Sequence, residues 1–177
     1  MKEHEYNSIP AAILYTSICA AALLLDRITK DLAVKHLRGK DAINLIGNIF
    51  QLTYVENRGA AFGVLQGRQI FFYIITVVIC ALIVYAFLKC PKTPRYTALL
   101  LTMTFIMAGA LGNFIDRVSG KFVVDFIYFR PIDFPVFNVA DIFITLGCIA
   151  LAIEILFVYR EEELSFLKRS RRKDETC

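Results

Sequence analysis

Four long apolar segments dominate the pattern of hydrophobic and polar positions in this chain. Three of them, residues 6–25, 70–88 and 96–115, contain no Asp, Glu, Lys or Arg, and the fourth, residues 134–159, contains only Asp141 and Glu154. A helix needs about 20 apolar residues to cross the hydrocarbon of a bilayer, so each segment is long enough to span it once. The pattern therefore predicts four transmembrane helices. The predicted spans are residues 6–30, 70–89, 96–116 and 137–159.

The composition agrees with this pattern. Hydrophobic residues make up 57% of the chain, and its mean hydropathy is +0.57. Both values exceed those of an ordinary soluble domain, and the four segments leave no residues for one. We therefore expect residues 1–177 to form a single integral membrane domain of the mainly α class.

The connection between the first two spans has a different character. The first span is expected to continue as an amphipathic helix to about Leu37. Residues 44–48 offer a turn, and residues 49–55 are rich in β-branched and aromatic side chains. We predict a small β element over about residues 42–66, on the extracytoplasmic surface, with a short outer helix or loop. A plain solvated loop is the alternative.

Basic residues suggest how the chain is oriented. The loop between the second and third spans carries Lys89, Lys92 and Arg95, and the tail over residues 160–177 is rich in Arg and Lys. Because Lys and Arg are enriched in cytoplasmic loops, both termini are predicted to be cytoplasmic. The tail is interpreted as an orientation signal that contacts anionic lipid, and nucleic-acid binding is not expected.

Carboxylates are concentrated at the outer ends of the apolar segments. Asp26 ends the first, Asp116 ends the third and Asp141 begins the fourth, while Asp125 lies within an apolar run between them. A charged side chain in hydrocarbon costs roughly 2.5–3.5 kcal/mol, so such residues are usually functional. Two aspartates that lie close together in space are also sufficient as the general acid and the general base of a hydrolase.

Other polar residues have the spacing of a shared helix face. Asp26 and Lys30 are four apart, which favours either a pair that fixes the helix end or a role in the site. Asn113 and Asp116 are three apart, and Arg117 is expected to pair with Asp116.

Two further features concern helix contacts and the fourth span. Gly109 and Gly112 permit close helix packing. Asn138 and Asp141 are expected on one face of the fourth span, whereas Glu154 is expected to snorkel at the inner edge.

Several classes of chemistry are not supported. The two histidines, His4 and His36, lie far apart, and the five cysteines do not have metal-ligand spacing, so we expect neither a metal nor another cofactor. An ion-coupled transporter would place acids throughout the bilayer depth, whereas these cluster at one side. A non-enzymatic membrane scaffold would leave Asp125 without a purpose. Both classes remain alternatives to a hydrolase.

Five motifs in order give the chain a resemblance to lipoprotein signal peptidase, the bacterial signal peptidase II. The motifs are Asp26-x-x-x-Lys30, Asn57-x-Gly59-x-Ala61-Phe62, Gly109-x-x-Gly112-Asn113-x-x-Asp116-Arg117, Val123-Val124-Asp125-Phe126 and Phe137-Asn138-x-Ala140-Asp141. The resemblance implies a metal-independent aspartic endopeptidase of the bacterial inner membrane. Such an enzyme removes the signal peptide from a prolipoprotein, on the N-terminal side of the cysteine that carries diacylglycerol.

The resemblance also implies roles for individual residues. Asp125 and Asp141 would be the catalytic pair, which shares one proton and activates a water molecule. Asn57 is the best candidate for holding the substrate or the developing oxyanion. Globomycin-type cyclic peptides are expected to bind, membrane lipid is a further partner, and a monomer suffices. The residues that would support the site or contact the substrate are Asp26, Lys30, Asn57, Gly59, Gly109, Gly112, Asn113, Asp116, Arg117, Asn138 and Ala140.

Overall fold

Four long helices form the body of the protein. The computed structural model describes residues 8–47, 49–59 and 65–167. Each helix is long and apolar enough to cross a membrane, which confirms the expected mainly α class. Residues 6 and 7 of the first predicted span lie outside the described residues. The helices are α1 (Ser8–Leu37), α2 (Gln69–Lys89), α3 (Thr97–Gly120) and α4 (Val139–Ile153).

Helix α3 lies at the centre of the bundle. It packs against α1, α2 and α4 and supplies many buried side chains, including Leu100, Met103 and Ile106. By contrast, Phe72 is the one buried residue of α2, and many of the other apolar side chains of this helix are exposed on the outside of the bundle. This distribution suits a bundle in lipid, where a helix that is apolar on every side needs only one protein neighbour.

A three-stranded antiparallel sheet covers one end of the bundle, which we call the sheet end. The strands are β1 (Ile43–Ile46), β2 (Phe50–Asn57) and β3 (Val123–Phe129), in the order β1-β2-β3. The hairpin of β1 and β2 confirms the β element expected within residues 42–66. Residues 48 and 60–64 of that range, with Ala61 and Phe62 of the second motif, lie outside the described residues.

Strand β3 was not predicted from the sequence. Its residues were expected only to form an apolar run that contains Asp125. Its Val124 and Phe126 pack on Ala33 and Leu37, in the extension of α1 that the sequence did predict. Ile127 also forms a bridge with Phe137, just before α4. The sheet is therefore fixed to both α1 and the start of α4.

The opposite end of the bundle, which we call the far end, closes around aromatic and charged side chains. The rings of Tyr96 and Tyr159 stack at 5.4 Å, and Arg95 pairs with Glu163 at 2.8 Å. A π-helical turn, Glu154–Val158, leads from α4 into this region.

Glu154 does not snorkel, and that expectation was wrong. Its side chain is buried between α3 and α4, where it accepts a hydrogen bond of 3.1 Å from the Thr102 hydroxyl. The partner on α3 makes an inward position favourable, and sequence spacing alone could not reveal that partner.

Candidate active site

Two aspartates face one cavity at the sheet end. Asp125 lies on β3 and Asp141 in the first turn of α4, and both line a cavity of about 480 Å³. Asp125 is only 2% exposed. The two side chains come from different elements, so the sheet must dock on the helices before they can meet.

Asn138 connects the two aspartates. It is the N-cap of α4. Its side-chain Oδ1 accepts a hydrogen bond from the Asp141 backbone amide at 3.0 Å, and its backbone amide donates to Asp141 Oδ2 at 3.1 Å. This reciprocal capping box holds the first turn of the helix. The side-chain Nδ2 of Asn138 donates to Asp125 Oδ1 at 2.6 Å. Asn138 therefore sits in the cap rather than on the helix face that the sequence predicted.

Asn57 holds the other oxygen of Asp125. Its Nδ2 donates to Asp125 Oδ2 at 2.9 Å, and its Oδ1 accepts from the Gly59 amide at 2.9 Å. The register of the sheet explains this contact, because Val55 pairs with Asp125 across β2 and β3. Asn57 at the end of β2 thus reaches the carboxylate two positions along the ladder.

The surroundings of Asp125 favour its protonated form. Burial, followed by the negative charge of Asp141, raises the pKa of Asp125 to about 7 from an ordinary 3.8. The hydrogen bonds from Asn57 and Asn138 act in the opposite direction, and so does the charge of Lys30. Burial dominates because a carboxylate loses most of its hydration there. This carboxyl group therefore keeps its proton to a higher pH than an ordinary aspartate does.

A buried lysine lies behind the cavity. The Lys30 side chain is 2% exposed, and its ammonium group contacts Asp26 at 2.8 Å and Asp116 at 2.9 Å. It also donates to Asn113 Oδ1 at 3.0 Å, and Asn113 in turn donates to Asp141 Oδ1 at 2.7 Å. The pair of Asp26 and Lys30 that the sequence suggested is thus part of a buried polar network that reaches Asp141.

Small residues allow the helices to approach closely around this network. A Cβ atom at Gly109 would collide with the backbone carbonyl of Ala140, and one at Gly112 would lie 2.6 Å from Asp26 Oδ2. Ala140, which is fully buried, donates its amide to Asp26 Oδ1 at 2.9 Å. Gly109, Gly112 and Ala140 therefore bring α1, α3 and α4 to the distance that the hydrogen bonds require.

Arg117 does not pair with Asp116, which corrects the sequence-based expectation. Consecutive residues on a helix point in different directions, and Asp116 faces Lys30 and Arg27 instead. The Arg117 guanidinium lies over the Phe72 ring at 4.5 Å and donates to the Gly59 carbonyl at 3.3 Å. Its Nε is buried without a hydrogen-bond partner among the described residues. Arg117 is thus a lining residue of the cavity with a spare donor.

Most of the cavity wall is apolar, and of its apolar side chains only Phe137 belongs to one of the five motifs. Several of the others are adjacent to the motifs in the sequence, and this proximity was the signal that could have identified them. Among the described residues, no group of three or more His, Cys, Asp or Glu could hold a metal ion. The apolar lining residues are Phe72, Phe134, Pro135, Val136, Phe137, Ile142 and Leu146.

Comparison with known proteins places this chain among membrane peptidases. The family model described as signal peptidase (SPase) II, Peptidase_A8, matches residues 18–157. The lipoprotein signal peptidase of Caldanaerobacter subterraneus subsp. tengcongensis is 47% identical over 141 residues, covering 79% of this chain and 94% of the relative. That of Clostridium novyi is 43% identical over 137 residues, covering 76% and 91%.

A solved structure is also similar. It belongs to a bacterial membrane enzyme and superposes with a TM-score of 0.77 at 33% identity, covering 98% of this chain and all of that one. The family model, the relatives and the shared fold agree, and the chain therefore belongs to the signal peptidase II family of lipoprotein-processing membrane proteases.

Proposed function

We propose that this protein is an aspartic endopeptidase in which Asp125 and Asp141 activate water. It removes the signal peptide of a bacterial prolipoprotein by cutting just before the cysteine that carries diacylglycerol. The observation that carries the proposal is that both carboxylates line one cavity and are joined through Asn138. Two carboxylates that share one proton can act as acid and base in the same step.

The raised pKa of Asp125 supports different roles for the two aspartates. Near neutral pH the pair holds one proton, which we place on Asp125. Asp141 takes a proton from the attacking water, and the resulting hydroxide adds to the scissile carbonyl carbon. Asp125 gives its proton to the carbonyl oxygen. When the intermediate collapses, the C–N bond breaks and the leaving amine takes the proton that Asp141 received, while a hydroxyl of the intermediate returns a proton to Asp125; this gives the carboxylic acid product and restores the pair.

Other side chains are positioned to hold the substrate. Asn57 and Arg117 both line the cavity, where their side chains supply hydrogen-bond donors for a substrate carbonyl. In this role Asn57 would release part of its contact with Asp125 as the oxyanion develops. Asp26, Lys30, Gly109, Gly112, Asn113, Asp116 and Ala140 support the pair from behind.

The substrate determines where the site must lie. Its diacylglyceryl group remains in the bilayer, so the scissile bond is presented at a membrane surface. We place the sheet end at the extracytoplasmic face of the inner membrane, with both termini in the cytoplasm, because the short loop at the far end carries Lys89, Lys92 and Arg95 and the tail is rich in Arg and Lys. The apolar cavity wall suits a lipidated peptide, and we expect globomycin-type cyclic peptides to compete for it. One chain contains the whole site, so the enzyme acts as a monomer.

Cleavage of a diacylglyceryl prolipoprotein by purified enzyme tests the proposal. We expect Asp125→Asn and Asp141→Asn each to lower kcat by about 10³-fold or more, because each removes a group that transfers a proton. A chelator should have no effect on the wild type. Asp31→Asn provides the matched control, since Asp31 is an exposed carboxylate on α1 that pairs with Arg27.

The outcomes separate the alternatives. Substantial turnover by either aspartate variant would contradict the two-aspartate mechanism, and loss of activity with the chelator would replace it with a metal-dependent one. Cleavage by the wild type and by Asp31→Asn alone supports both assignments together.

A further inference from the structure

The ammonium group of Lys30 has three protons and three acceptors. They are Asp26 Oδ2, Asp116 Oδ2 and Asn113 Oδ1, at 2.8, 2.9 and 3.0 Å. Two of the acceptors are carboxylates that neutralise the buried charge. The third is a neutral amide, and it is the one whose residue also contacts Asp141. A buried ammonium needs all three of its N–H groups satisfied, so this contact completes the burial of Lys30 and also joins Lys30 to the amide that reaches Asp141.

The contact with Lys30 determines which way the Asn113 amide faces. Asn113 Oδ1 accepts from Lys30 and, at 3.2 Å, from Asn138 Nδ2. Rotating the amide by 180° would direct its NH₂ group at two donors, one of them a cation. The observed orientation is therefore strongly favoured, and it directs Nδ2 at Asp141 Oδ1, 2.7 Å away.

Asn138 is oriented by the helix cap. Its Oδ1 accepts from the Asp141 amide, so its Nδ2 is left to donate to Asp125 Oδ1 and Asn113 Oδ1. The hydrogen bond from Asn138 to Asp125 is thus fixed by the helix cap, whereas the one from Asn113 to Asp141 depends on Asn113 Oδ1 remaining an acceptor. Lys30 is the charged group that keeps it so.

We propose that Lys30 is a positioning residue for the aspartate pair, which acts by fixing the amide of Asn113 and, through it, the hydrogen bond to Asp141. The inference rests on the proposed two-aspartate mechanism and adds to it a residue that does not touch the substrate. Lys30 acts from behind the cavity, on the side of α1.

The charge of Lys30 gives the proposal a distinctive signature. Asp125 is faced by Asp141 from α4, by Lys30 from α1 and by Arg117 from α3, while β2 contributes the neutral Asn57. Lys30 itself is flanked by Asp26, Asp116 and, at the rim, Arg27. Loss of the Lys30 charge should raise the pKa of Asp125 and move the alkaline limb of the kcat/KM profile to higher pH.

The test uses Lys30→Met, which keeps the unbranched chain and removes the charge and the donors. Because this leaves two buried carboxylates, Asp26→Asn with Lys30→Met is made in parallel so that a folded, charge-balanced enzyme is available. We expect kcat/KM per folded enzyme to fall about 10- to 100-fold and its alkaline limb to rise by about 0.5–1 pH unit.

A double-mutant cycle with Asn113→Leu tests the route of the effect. If Lys30 acts through Asn113, adding Lys30→Met to Asn113→Leu should change kcat/KM less than threefold. Glu154→Gln is the matched control, since it perturbs a buried polar contact between α3 and α4 at the far end. It should lower stability and leave the pH profile unchanged.

Two results would overturn the inference. The first is that the variant with both Asp26→Asn and Lys30→Met keeps the wild-type pH profile and the wild-type activity per folded molecule. The second is that Lys30→Met lowers kcat/KM by the same factor in the Asn113→Leu background as in the wild type. Failure of the two-aspartate mechanism itself would appear differently, as turnover by Asp125→Asn or Asp141→Asn.

Discussion

Asp125 holds its carboxyl group where ionisation is unfavourable. The group is 2% exposed and faces Asp141, and these surroundings raise its pKa to about 7. The unfolded chain has no such environment and releases the proton near pH 4. Between these two values the folded protein binds a proton that the unfolded chain does not. Asp125 therefore makes the protein less stable as the pH rises from about 4 to about 7, by an amount of order 4 kcal/mol.

This linkage predicts the behaviour of Asp125→Asn. The substitution removes the titrating group, so the apparent Tm in detergent should fall less between pH 5 and pH 8 than it does for the wild type. The comparison of slopes matters more than either Tm, because the new amide also changes the contacts with Asn57 and Asn138. Asp31→Asn should keep the wild-type slope. Parallel slopes for wild type and Asp125→Asn would contradict a raised pKa at this position.

Sequence reasoning at the residue scale identified the types of residue and missed some of their partners. Asp125 and Asp141 stand out because carboxylates beside hydrocarbon are costly. The spacing of Asp26 and Lys30 predicted their contact but not the burial of Lys30, which requires Asn113 and Asp116 from another helix. The position of Arg117 was likewise misjudged, since its contacts with Gly59 and Phe72 come from distant parts of the chain.

Among the helices and strands, the close approach of α3 and α4 determines where Asp141 lies. Ala140 and Asp141 begin α4, and the backbone carbonyl of Ala140 lies directly over Gly109. A methyl group at Gly109 would collide with this carbonyl, and because the carbonyl belongs to the backbone, no side-chain rotation can relieve the collision. The helix start would then move, and with it the distance between Asp141 and Asn113.

Gly109→Ala should therefore damage both packing and chemistry. We expect a loss of stability of about 1–3 kcal/mol, as is usual for overpacking, and a fall in kcat/KM per folded enzyme of at least tenfold. Gly147→Ala is the matched control on the same helix pair, where the added Cβ would meet the Ile106 side chain. It should lower the apparent Tm without a comparable loss of activity. Equal activity losses from the two variants would show that the approach at Gly109 has no special role.

The strands show where sequence reasoning about elements stops. The hairpin of β1 and β2 was predictable because its strand formers and its turn lie within one short segment. Strand β3 has a similar composition, but its partner β2 is some 70 residues away and α2 and α3 lie between them. The contact of Asn57 with Asp125 depends on that pairing, so this half of the site could be expected from the resemblance and could not be worked out from local patterns.

The whole molecule separates into a sheet end that holds the cavity and a far end that holds the bundle together. At the far end Arg95 donates to Glu163 and to the Val158 carbonyl, and the Tyr96 and Tyr159 hydroxyls bond across the same junction. The four spans themselves were predictable, because uncharged runs of this length have few other uses. This junction was not, since it joins the loop before α3 to residues after α4.

Glu163→Gln tests whether the two ends are independent. Hydrogen bonds from Arg95, and then from the Arg160 amide, lower the pKa of Glu163 to about 2, so its contribution to stability is present above about pH 4.5 and is lost as the pH falls toward 2. The pair is exposed, and we expect the apparent Tm at pH 7 to fall by only about 1–3 °C. Activity per folded enzyme should not change, because the substituted residue lies at the end of the bundle opposite the cavity. Glu162→Gln, at the neighbouring position, should leave both quantities as they are. A fall in kcat/KM at unchanged folded fraction in Glu163→Gln would instead show that the far end is coupled to the aspartate pair through α3 or α4.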